Sequence, residues 1–151
     1  MKYFEDLEVG ATATFGSYTV TRDEVTAFAT AYDPQAFHLS DEEAAKTHFG
    51  RQSASGWHTA AMTMRMLVDF MDSDEPQASL GASGIDELRW LRPVYPGDTL
   101  SCETEILSKA LWPGRPEMGG FRSLMTVRNQ HGHKVLSFIA NPLIATRAVA
   151  S

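Results

Sequence analysis

The sequence predicts an α+β domain in which an antiparallel sheet curls around one buried helix. Three observations carry this. Residues 56–71, GWHTAAMTMRMLVDFM, are apolar around much of a helical circumference, as expected of a helix enclosed by its own protein. The second half of the chain alternates apolar and polar residues with a period of two, the pattern of half-buried strands. Turn-forming clusters, RPVYPGD and NQHGHK, separate those runs, which suits strands joined antiparallel. At 151 residues a single domain over 1–151 is expected, large enough to hold a core without a disulfide or metal.

Taken in order, an early strand is expected over residues 11–20. Thr21 to Glu24, TRDE, forms a capping box, in which the hydroxyl accepts from the Glu24 amide while Glu24 reaches back. Val25, Phe28, Ala29 and Tyr32 then fall on one helical stripe. Pro34 biases Asp33 away from helical dihedrals, so this helix stops near Tyr32. A second capping box, SDEE at 40–43, opens a short helix through Ala44 and Ala45. The main helix follows over 56–71. Ala60, Ala61, Met64, Leu67, Val68 and Met71 make its apolar face, extended by Met62, Met66 and Phe70.

Strands are expected near 85–91 and from Thr99. In DTLSCETEI, Leu100, Cys102, Thr104 and Ile106 oppose Ser101, Glu103 and Glu105. In FRSLMTVRN, Phe121, Met125 and Val127 oppose Arg122 and Arg128. VLSFIANPLIA is apolar on both faces and reads as an interior strand.

Composition narrows the function. A formal charge of −6 and a pI near 5.3 argue against nucleic acid or an anionic membrane as the main partner. Cys102 is the single cysteine, which excludes an intrachain disulfide and a cysteine-cluster metal site. The opening, MKYFEDLEVG, carries no signal-like apolar run, and no stretch of about 18 apolar residues occurs. A cytoplasmic protein is the expectation.

The segment AYDPQAFHLSDEEA puts Asp33 and His38 in a loop between two helices. Loops held by rigid elements are where catalytic groups concentrate. The plain alternative is that Asp33 caps a turn through its own backbone and His38 satisfies a nearby carbonyl. Downstream, Ser53 or Ser55 offers a hydroxyl cap to the helix that Gly56 opens. The first turn of a helix has unpaired amides and partial positive charge, suited to an oxygen gaining negative charge. Glycine there lets a ligand approach the backbone. Phe37, Trp57, Trp90 and the methionines are candidates for a pocket or for ordinary core. His58 either lines the site or only packs. His48, His131 and His133 read as surface or turn residues, and no histidine spacing suggests a metal site.

Asp33-Pro34-Gln35-Ala36-Phe37-His38, then LSDEEAAKTHFG, then SASGWHTA, resembles the MaoC-like dehydratases, also called hydratase-2 or R-specific enoyl-CoA hydratases. Their signature is close to D-x-N-P-[hydrophobic]-H, followed by an acidic, alanine-containing helix and a glycine opening the central helix. YFEDLEVG and RPVYPGDTL look like this family too. Gln35 and Ala36 depart from it: glutamine keeps an amide on a longer stem, and alanine loosens the turn.

The resemblance implies the hotdog fold, a curved antiparallel sheet wrapped around a central helix. It also implies reversible hydration of a trans-2-enoyl-CoA, or dehydration of an (R)-3-hydroxyacyl-CoA. Asp33 and His38 would hold one water, and the Gly56 amide would receive the thioester oxygen. Phe37, Ser55, Trp57 and His58 would contact substrate. The implied ligand is an acyl-CoA with no cofactor and no metal, and a homodimer or higher homo-oligomer is expected. Arg89, Arg92, Arg115 and Arg122 are candidates for the CoA phosphates. Two rivals stand beside this: a non-catalytic acyl-CoA-binding subunit, and, less favoured, a thioesterase. Thioesterases of this fold generally carry a carboxylate on the central helix, where Trp57, His58 and Thr59 stand here.

Overall fold

The computed structural model describes residues 1–73 and 75–147. Strand β1 (Thr12–Thr19) leads into helix α1 (Arg22–Tyr32), the one-turn helix α2 (Asp41–Ala44) and helix α3 (Gly56–Met71). Four strands follow: β2 (Ser79–Trp90), β3 (Thr99–Trp112), β4 (Arg115–Arg128) and β5 (Lys134–Ala145). They form one antiparallel sheet in the order β1-β3-β4-β5-β2. The core cluster gathers Met62 and Met66 of α3 with Leu100 and Cys102 of β3, Met125 and Val127 of β4, and Leu136 and Phe138 of β5. Phe15 and Tyr18 of β1 and Leu88 of β2 pack against it. Every strand therefore contributes to the one cluster that α3 fills, as in a sheet that bends around its helix.

Local chemistry accounts for most boundaries. The Thr21–Glu24 capping box is complete, with the hydroxyl accepting from the Glu24 amide at 3.3 Å. At α2 only half the expected box forms. Ser40 accepts from the Glu43 amide at 3.2 Å, while the Glu43 carboxylate turns to Lys46 at 2.9 Å. On α1, Val25 and Ala29 are buried as expected, but Tyr32 is exposed, past the edge of what the helix covers.

Two expectations need correction. Strand β2 starts at residue 79 instead of 85, through the glycine-rich SLGASG. It is an edge strand with three register shifts against β5, and Glu87 adopts φ +52°, so it lacks the regular alternation that marks a strand in sequence. The second correction concerns α3. Its buried face is His58, Thr59, Met62, Thr63 and Met66, while Met64 is 50% and Trp57 60% exposed. A single sheet covers one side of the helix, and Thr63 tolerates the interior by donating its hydroxyl to the Thr59 carbonyl at 2.8 Å.

Gly16 shows how closely helix and sheet approach. It sits at φ +85° in a bulge of β1, where an added Cβ would lie 2.6 Å from the Met66 sulfur.

Candidate active site

Asp33 is the C-cap of α1, its amide reaching Ala29 O at 2.9 Å. Pro34 stops the helix, and the chain turns twice: Gln35 N–H donates to Asp33 O at 2.8 Å, and a 3-10 turn over Ala36–His38 follows. These turns swing His38 back toward the helix end, so that its Nε2 lies 3.4 Å from Asp33 Oδ2. His38 is 5% exposed. Its Nδ1 is 2.7 Å from the Ser53 carbonyl oxygen. A carbonyl only accepts, so Nδ1 carries a proton and donates, and in the neutral form of the ring Nε2 presents its lone pair to Asp33.

Burial pushes the Asp33 carboxyl up. Hydrogen bonds from Ser55 and Gln35, joined by the charge of His38 when it is protonated, outweigh it and hold the group below the usual carboxylate range. With Asp33 ionised, two acceptors face each other at 3.4 Å. Such an arrangement binds a shared proton or a molecule with two O–H donors.

The segment before α3 fixes His38. Gln52 is 2% exposed. Its amide nitrogen donates to His38 O at 2.9 Å and to Thr26 Oγ1 at 2.8 Å, and its oxygen accepts from Arg22 at 2.8 Å. Sequence reasoning passed over Gln52, since a lone glutamine carries no periodic or motif signal. Ser55 does not cap α3 as expected; its hydroxyl donates to Asp33 Oδ2 at 2.7 Å. The first helical hydrogen bond is Thr59 N–H to Ser55 O at 3.1 Å, and no side chain caps the first turn. The role expected of Gly56 changes in part. A Cβ there would lie 2.5 Å from the Trp90 indole, so Trp90 by itself requires the glycine.

A cavity of about 560 Å³ opens at this end of α3. Asp33, Phe37, His38, Gly56 and Trp57 line it, as the sequence suggested. Ser55 stands behind Asp33 instead of in the wall. His58, one helical step past Trp57, is turned away: it stacks on Phe28 at 4.7 Å, with Nδ1 lacking a partner and burial pulling its pKa down. It does not line the cavity where substrate contact is expected of it. His48, read as a surface residue, is exposed but lines the cavity, as do Gln35, Phe49, Trp90 and Arg92. Among the four candidate arginines Arg92 alone reaches this wall. Arg115 and Arg122 pair with Glu117 at 3.5 Å and Asp86 at 3.4 Å, and Arg89 bonds the Leu88 carbonyl. No three His, Cys, Asp or Glu side chains among the described residues converge as metal ligands.

Fold and site together define a hotdog domain with an acid–imidazole pair beside the first turn of its central helix. Residues 7–120 match the MaoC like domain model, and the chain belongs to that family. The crystal structure of a MaoC-like dehydratase from Rhodospirillum rubrum superposes with a TM-score of 0.87 at 37% identity, covering 97% of this chain and 99% of that one. The chain is 29% identical to the uncharacterized protein YdeM of Bacillus subtilis over 87% of its own length and 90% of YdeM's. It is 32% identical to a 3-hydroxybutyryl-CoA dehydratase of Methylorubrum extorquens over 69% of its own length, spanning 63% of that relative.

Proposed function

We propose that the protein adds water across the 2,3-double bond of a trans-2-enoyl-CoA, and in reverse dehydrates an (R)-3-hydroxyacyl-CoA. The observation that carries this is Asp33 and His38 facing each other at 3.4 Å in a cavity that Gly56 also lines. A water spanning the pair presents its oxygen to C3. As the C–O bond forms, one water proton passes to the pair and the π electrons move onto C2 and the thioester oxygen. The pair then returns a proton to C2 and ends as it began. A positioned acid/base contributes typically about 10²–10⁴-fold. The open amide of Gly56 suits the developing thioester oxygenate, a donor typically worth about 10²–10³-fold. Phe37 and Trp57 would flank the acyl part, and Arg92 is suited to a CoA phosphate. The step needs no redox group or metal, so none is included in the proposal.

A homodimer is part of this reading. Strand β2 leaves a sheet edge open, and Leu80, Ile85 and Trp90 on it are 45–50% exposed beside the uncovered Trp57 and Met64 of α3. A second copy would cover these groups. No helix among the described residues is long and apolar enough to cross a membrane, and a cytoplasmic location is proposed.

The thioesterase alternative loses ground on geometry. Asp69 of α3 is exposed and bound to Arg65 at 2.6 Å, and Asp33 is the one carboxylate on the cavity wall. Against the non-catalytic subunit stands Gln35, whose amide reaches Asp33 despite departing from the family signature. Incubation with crotonyl-CoA separates the three. Loss of the conjugated-thioester absorbance without free thiol is expected; thiol release would favour hydrolysis, and binding without either change would favour the accessory role.

A further inference from the structure

Asp33 takes a donor on each carboxylate oxygen, and the donors come from different parts of the chain. Gln35 Nε2 reaches Oδ1 at 2.7 Å from the loop, and Ser55 Oγ reaches Oδ2 at 2.7 Å from the start of α3. Neither bond serves ordinary structure. Ser55 stands where a serine normally accepts from a helix amide, a cap typically worth about 1 kcal/mol, yet its fully buried hydroxyl donates to Asp33. Gln35 is exposed and lines the cavity, and its amide folds back over two residues to Asp33 instead of toward solvent.

We infer that Gln35 and Ser55 act as a pair of positioning residues, fixing the rotation of the Asp33 carboxylate so that Oδ2 faces His38 Nε2; this rests on the hydratase reading above. Asp33 needs such help for a physical reason. It ends α1, where the helix dipole disfavours negative charge, and it is largely buried. Both effects favour the protonated acid, which would put a proton where the water must bind. Two donors reverse the balance and also stop the carboxylate from turning. The other titratable or charged side chains on this cavity are His38, His48 and Arg92. Of these only a protonated His38 acts on Asp33 through charge, so with the ring neutral the two uncharged donors are what hold the carboxylate ionised.

The longer stem of Gln35 thereby gains a role. It spans the Pro34 peptide to Oδ1 while its own amide holds Asp33 O at 2.8 Å. Ser55 is the stronger partner, because its bond is shielded from water and that of Gln35 is not.

The test is titration of the Asp33 carboxyl by carbon NMR in the ligand-free protein, in parallel with pH profiles of kcat and KM for crotonyl-CoA. In Ser55→Ala and Gln35→Met, which remove a donor without adding charge, the Asp33 midpoint should rise by about one unit, more in the first. Expected with it are an upward move of the acid limb, a fall in kcat of about tenfold, and KM within twofold. Ser55→Thr, which keeps a hydroxyl, should titrate as wild type. An Asp33 midpoint unmoved in both donor-removing variants overturns the inference. Should Ser55→Ala not fold, Gln35→Met at an exposed position decides alone. If wild type leaves crotonyl-CoA untouched, the proposed activity fails while the carboxyl titration still decides the pair.

Discussion

The two ends of α3 carry two cavities of similar size and very different chemistry. At its start lies the site built around Asp33, His38 and Gly56. At its end, Leu67 and Phe70 face Phe121, Met125 and Phe138 of the sheet across a second cavity of about 410 Å³, roofed by residues 2–13. Charged groups occur there too, and structural partners take up two of the three. Asp6 binds the Tyr3 amide and Arg147, and Lys2 lies 3.9 Å from Glu75. Volume and apolar walls therefore do not mark the functional end. What marks it is a pair of acceptors left facing each other, with a capping hydroxyl diverted to hold one of them.

Substitutions at each end should separate them. Asp33→Asn and His38→Ala are expected to lower kcat for crotonyl-CoA by about 10²–10⁴-fold, with circular dichroism and Tm near wild type. Normal rates in both would place the chemistry elsewhere. Gly56→Ala drives a Cβ to 2.5 Å from the Trp90 ring and should cost up to about 10²-fold in kcat. The double variant Gly56→Ala/Trp90→Ala should recover part of that loss, and no recovery would mean that the indole is not the obstacle.

At the other end, Phe70→Ala removes a ring stacked on Phe15 at 4.3 Å. It should lower stability by about 3 kcal/mol in urea titration while kcat/KM stays within twofold; a large kinetic effect would erase the contrast between the two cavities.

His58 belongs to neither cavity and supplies the smallest effect. Burial holds its folded pKa below the ordinary 6.5, opposed by Glu24. Below about pH 6.5 the unfolded chain takes up a proton that the native His58 resists, so stability falls as pH drops through that value toward the folded pKa. His58→Leu should flatten the urea midpoint between pH 7.5 and 5.5; an unchanged slope would assign the pH dependence to other groups.

Much of this was legible in the chain, and the exceptions share a cause. The Thr21–Glu24 box, the stop at Pro34 and the limits of α3 are local, so sequence shows them. Alternation about Leu100, Cys102, Met125 and Val127 announced two strands in the correct phase. The inward face of α3 was misjudged because apolar residues nearly circle it, and only the position of the sheet selects the side that is buried. The first half of β2 was missed because glycines and bulges suppress its period. Contacts between Trp90 and Gly56, or Gln52 and His38, join residues far apart in the chain, where no spacing rule reaches. The family resemblance places Ser55 and His58 at the substrate, but rotation about the helix start sends one to Asp33 and the other to Phe28.

One amide group joins Asp33 and His38 by a route outside the loop between them. The Gln52 nitrogen grips both the Thr26 hydroxyl, on the helix that ends in Asp33, and the backbone oxygen of His38. A displacement of either partner is thus passed to the other through a single buried bracket. The acid and the imidazole keep step because they are tethered to the same anchor, and that anchor stands outside the cavity wall.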